Sequence, residues 1–100
     1  MKNIVLSADG DRVVYSVPDK VADNLEKYCL EFCTTWLKTS PHAKKYRTSG
    51  GLCYNQEDFI NYLNKWVFPE KPSSFVENLG WIDFGSALPE KYKNCPEFNF

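Results

Sequence analysis

Residues 2–7 and 12–17 are β-rich runs that flank Ala8-Asp9-Gly10-Asp11. Asp-Gly is favoured in tight turns whose central positions need φ > 0, so the segment reads as a β-hairpin. The pairing sets Leu6 opposite Val13 and Ile4 opposite Tyr15 on one face. Val5 lies opposite Val14 on the other, among Asn3, Ser7, Arg12 and Ser16. The first face is the core face. A two-stranded ribbon is not stable alone in water, so the rest of the chain must cover that face or extend the ribbon.

The cover is written directly after it. Ser16-Val17-Pro18-Asp19 has the S-x-x-D form of a capping box, with proline in the first turn. Val21, Leu25, Tyr28, Cys29, Phe32, Cys33, Trp36 and Leu37 then recur with helical spacing and predict one apolar stripe of about five turns. At 1.5 Å per residue such a helix is roughly 30 Å long and spans the domain. Lys20, Asp23, Lys27 and Glu31 form its polar face, with Asp23 and Lys27 in the favourable i, i+4 order. Ser40-Pro41 predicts a short helix over about 41–47, stopped by Ser49-Gly50-Gly51. A further helix starts at Asn55, with Asp58 at the third position and Tyr54 and Phe59 at the staple positions. Its stripe is Phe59, Tyr62, Leu63, Trp66 and Val67, and Pro69 and Pro72 end it.

The last third has no strong period. Ser74-Phe75-Val76-Glu77 reads as the cap of one short helical turn ending at Gly80, and Trp81–Phe84 as a short strand. The aromatic end, with Tyr92, Phe98 and Phe100, is unlike a disordered tail and is expected to pack back on the body. A length of 100 residues allows one domain, 1–100. The expected fold is α+β: an N-terminal hairpin, extended by a third, C-terminal strand at 81–84, packed on a long helix and a second shorter one. An irregular aromatic-rich C-terminal segment completes it. The expected core is Ile4, Leu6, Val13, Tyr15, Val21, Leu25, Tyr28, Phe32, Trp36, Phe59, Leu63 and Trp66.

Several function classes find no support. The apolar run at Ile4–Leu6 is far too short for a signal-peptide core, and no stretch approaches a membrane span, so the chain reads as cytoplasmic with no membrane partner. Its cysteines, at 29, 33, 53 and 95, then read as reduced. Cys29 and Cys33 sit on the apolar helix face, and no C-x-x-C knuckle is present, so no metal site is expected. The single histidine, His42, is eleven residues from Cys53, but no nucleophile motif marks that pair. No phosphate loop or dinucleotide fingerprint occurs. The reading is a non-catalytic protein that needs no cofactor.

One feature points outward. From Phe32 to Gln56 there is no Asp or Glu, while Lys38, Lys44, Lys45 and Arg47 lie there with His42: a local charge of +4 in a chain of net charge −1. Lys38, His42, Lys44, Lys45 and Arg47 are therefore candidate residues for nucleic-acid or anion binding. Few charges and an overall pI near 5.8 place this reading second. The first reading is a protein-interaction module of adaptor, inhibitor, antitoxin, immunity or anti-defence type. It would bind a protein partner, or a second copy, through a sheet edge beside Val5 and Val14.

Overall fold

The computed structural model describes residues 1–8, 10–81 and 87–100. Strand β1 (Lys2–Ser7) and strand β2 (Arg12–Val17) form the expected hairpin. Ile4 pairs with Tyr15, Val5 with Val14 and Leu6 with Val13, as the sequence predicts. The hairpin is the middle of a larger mixed sheet. Strand β5 (Ser74–Gly80) runs antiparallel to β2, and strand β6 (Glu97–Asn99) runs parallel to β1, in the order β5-β2-β1-β6. Both edges of the hairpin are therefore occupied. A separate two-stranded ladder joins β3 (Arg47–Thr48) to β4 (Gly51–Leu52), with Gly51 at φ 122°.

The helices lie on the Ile4/Leu6/Val13/Tyr15 face. Helix α1 (Asp19–Asp23) starts after Pro18 with no side-chain cap. The capping box expected at Ser16 does not form, because Ser16 stays in the sheet, paired with Asn3 and Ser74. The stripe is also interrupted. At Asn24 the backbone leaves the helix (φ −133°, ψ 39°), and the Asn24 side chain donates to the Lys20 carbonyl at 3.0 Å. An asparagine amide that ends its own helix in this way is the local competition that makes Asn a poor interior residue. Asp23 turns away from Lys27 and pairs with Lys2 at 2.7 Å.

The long helix, α2, covers residues 25–39, and its middle, Glu31–Trp36, is wound as a π-helix. A π turn adds one residue per turn. The buried row accordingly steps from Phe32 to Leu37, both fully buried, and Trp36 flanks the core only partly covered. The second helix, α3, covers residues 56–67 and repeats the device over Leu63–Val67. Its start is as expected: the Asn55 side chain accepts from the Asp58 N–H, and Asp58 accepts from the Asn55 N–H. At its end the Phe68 N–H reaches the Leu63 carbonyl at 2.8 Å. This widening turns Trp66 out of the core, where the sequence pattern placed it, to 41% exposure. The remaining ten of the twelve expected core residues are buried.

Phe32 is the centre of this side. Its ring meets those of Trp36, Tyr54, Phe59, Tyr62 and Phe100 at centroid distances of 5.1–5.9 Å. The C-terminal Phe98 and Phe100 thus pack back, as expected, and the Phe100 N–H bonds the Ser7 carbonyl.

The last third departs from expectation at β5. Residues 74–80 form a strand rather than a helical turn, and Trp81 lies outside it. Residues 82–84 of the predicted strand fall outside the described residues. Strand β5 carries two extra residues relative to β2, at Val76 and Leu79. Each such bulge changes which face the following side chains take. The first allows Phe75 to meet Tyr15 on the helix side while Glu77 accepts from the Tyr92 hydroxyl on the other.

Burial and hydrogen bonding tie stability to alkaline pH. Burial pushes the hydroxyls of Tyr15, Tyr54 and Tyr62 above their ordinary 10.0, and the hydrogen bond to Glu77 does so for Tyr92. Burial likewise raises the Cys29 thiol above 9.0. In each case the folded state holds the proton more tightly than the unfolded chain. The stabilisation is complete below the unfolded value and is lost as pH rises through the folded one. Urea unfolding should therefore give a midpoint that these groups leave unchanged to about pH 8 and that falls from about pH 9 upward. A midpoint constant to about pH 11 would contradict this placement of the tyrosines.

Candidate functional site

The acid-free segment contributes side chains both to the fold and to the surface. Residues Pro41–Tyr46 form a 3-10 helix whose start is fixed by the Ser40 hydroxyl, which accepts from the His42 N–H at 3.1 Å. Arg47 is drawn into the fold: its guanidinium donates to the Leu37 carbonyl at 2.9 Å and closes the C-terminal end of α2. Lys38 lies in the last turn of α2, exposed, where a cation suits the helix dipole. Lys44 and Lys45 are exposed, and no ion pair involves either among the described residues.

His42 and Lys45 meet α3. The His42 ring stacks on Trp66 with centroids 4.2 Å apart and planes at 27°. The Lys45 ammonium lies 5.0 Å from the Tyr46 ring centre, and the Lys65 ammonium 5.3 Å from that of Trp66. Together with Tyr62 and Asn61 these residues border a cleft of about 540 Å³ whose walls contain no carboxylate. The sequence pattern missed Lys65, Trp66 and Asn61 as parts of this cleft. Its helical period assigned Trp66 to the core, and only the π turn reverses that.

A second cleft, of about 490 Å³, lies between α3 and the β2/β5 side of the sheet. Asn61 and Asn64 line both clefts. Asn64 is fixed by a pair of bonds to the Ser73 backbone, donating to its carbonyl at 3.0 Å and accepting from its N–H at 2.6 Å. That clamp ties α3 to the residue that precedes β5.

Val5 and Val14, expected on an exposed face beside a free edge, are fully buried. Tyr92 covers them, with Leu79, Leu88 and Cys95 around it. The reason is the C-terminal segment, which forms a small second core on the face away from the helices. The open edge is instead that of β5. Among the described residues no strand pairs with its outer side. Phe75 is 63% exposed and Val76 40%, and Trp81 just beyond the strand is 68% exposed.

The cysteines do not converge. Cys29 belongs to the core under the helices and Cys95 to the cluster on the opposite face of the sheet, while Cys53 is exposed. Among the described residues no group of three His, Cys, Asp or Glu side chains is gathered to hold a metal ion. No helix is long and apolar enough to cross a membrane, again among the described residues. No protein-family profile, curated protein or solved structure matches this chain.

Proposed function

We propose that this protein is a non-catalytic protein-interaction module of adaptor or inhibitor type, and that it receives an extended segment of a partner protein along β5. The reading rests on the open edge of β5 (Ser74–Gly80), flanked by exposed Phe75, Val76 and Trp81. An exposed edge offers main-chain donors and acceptors to an added strand, and large apolar side chains beside it supply contact area. The bulges at Val76 and Leu79 divide the edge into short runs, which favours a short partner segment over a long one.

A second copy of the chain is the poorer occupant. Glu77 is the central residue of β5, so symmetric antiparallel pairing would set Glu77 opposite its counterpart, and like charges directly opposite are destabilising. A segment with a cation at that position fits better. Affinity capture with wild type and a Phe75→Arg/Val76→Lys variant tests the reading, with folding of the variant checked by circular dichroism. The expected result is a partner recovered by the wild type and reduced about tenfold or more with the variant, as loss of central apolar contacts implies. Equal recovery of every partner by the folded variant would reject the edge. A wild-type mass of two copies in solution, reverting to one in the variant, would replace the partner segment by self-association.

A further inference from the structure

The cleft between the 3-10 helix and α3 shares no residue with the edge of β5 and has its own chemistry. It joins an exposed aromatic platform, Trp66 with His42 stacked on it, to the ammonium groups of Lys45 and Lys65. Lys44, the chain neighbour of Lys45, is exposed as well. None of these lysines makes an ion pair among the described residues, and no carboxylate lines the cleft. A ligand suited to this site carries a flat ring and a negative charge a short distance from it.

The geometry points to a single-stranded nucleic acid, one base of which stacks on the Trp66–His42 platform while its phosphates lie against Lys44, Lys45 and Lys65. Non-specific single-strand binding combines these two elements, an aromatic face for a base and a cationic track for the backbone. A duplex keeps its bases stacked inside and would offer the platform nothing. The exposed Asn61 amide at the cleft wall, without a hydrogen-bond partner among the described residues, can donate to or accept from a base edge, whereas Asn64 is committed to Ser73. The lysines sit on two elements, Lys44 and Lys45 on the 3-10 helix and Lys65 on α3, which suits the successive phosphates of a strand better than a free mononucleotide.

The test is fluorescence anisotropy of labelled single-stranded RNA and DNA octamers, with a mononucleotide, a duplex and heparin as competitors. Variants are Trp66→Ala, Trp66→Phe and Lys45→Glu/Lys65→Glu. Arg47 is left intact because its guanidinium closes α2. The expected dissociation constant at low salt is about 1–100 μM, weakening roughly 20-fold between 50 and 200 mM salt if about three phosphates are neutralised. Trp66→Ala should weaken binding about tenfold or more, Trp66→Phe should retain most of it, and the double lysine variant should abolish it. The lysine pair is exposed, so that variant tests the site even if Trp66→Ala disturbs the packing of His42. No octamer binding at low salt would overturn the inference. So would binding that ignores both the tryptophan and the lysine changes, or heparin and duplex competing as well as the octamer. A mononucleotide that binds as tightly as the octamer would assign the site to free nucleotides and overturn the single strand.

Discussion

Phe32→Ala should lower the free energy of unfolding by about 3–5 kcal/mol, the usual cost of removing a fully buried aromatic ring. Domains of this size are stable by only about 5–15 kcal/mol, so the variant is expected to be largely unfolded at modest urea concentrations. The magnitude follows from position. Phe32 is fully buried and its ring touches five other rings, from α2, α3, the segment before α3, and the C-terminus. The surrounding rings cannot all move inward to fill its place, because they are held by four separate parts of the chain, so the cavity term stays large. Phe32→Leu keeps much of the volume and should cost about 1–2 kcal/mol. The midpoint of urea unfolding reads both. A Phe32→Ala midpoint within error of wild type would mean that the aromatic cluster does not hold the helices to the sheet.

Tyr92→Ala should cost about 3 kcal/mol or more, although this residue lies far from the main core in sequence and on the other side of the sheet. Tyr92 is 2% exposed and is the lid over Val5 and Val14, both fully buried. Removing it opens a void and wets two valines whose burial is worth about 1.5–3 kcal/mol each. Tyr92→Phe keeps the ring and loses only the hydrogen bond to Glu77, so it should cost about 0.5–1.5 kcal/mol. The contrast between the two variants separates coverage from hydrogen bonding. If both cost the same, the phenol–carboxylate bond rather than the ring would be what secures the C-terminal segment.

The parts of this fold that can be read from sequence are those set by local chemistry. The hairpin register follows from alternation and the turn, and the start of α3 follows from Asn55 and Asp58. The α+β class and the docking of the aromatic C-terminus follow from the need to cover one face of a ribbon. What escapes sequence reading depends on contacts distant in the chain. Ser16 could have capped a helix, but its pairing in the sheet keeps it extended. Seven residues at 74–80 look like the start of a helical turn, and the edge of β2 makes them a strand. A period of 3.6 residues places Trp36 and Trp66 inside, whereas the π turns at 31–36 and 63–67 shift the buried positions by one.

The candidate site was legible in part for the same reasons. The charge gap includes His42 and Lys45, which line one cleft, but it also includes Arg47, which closes a helix. Local composition cannot distinguish a cation facing solvent from one spent on a helix end. Strand alternation alone puts Val5 and Val14 on an open face, because the side chain that buries them, Tyr92, lies some eighty residues away and is held there through Glu77.

Amide hydrogen exchange along residues 74–80, in the free protein and in the complex isolated with wild type, tests most directly the proposal that β5 receives a partner. In the free protein the outward-facing amides of β5 should exchange fast, as those of an open edge do, while those of β1 are protected. In the complex the β5 amides should become protected, with the strongest change around Phe75 to Glu77. A complex in which protection appears at 42–46 and 61–66 but not along 74–80 would contradict the proposal and assign the partner to the basic cleft.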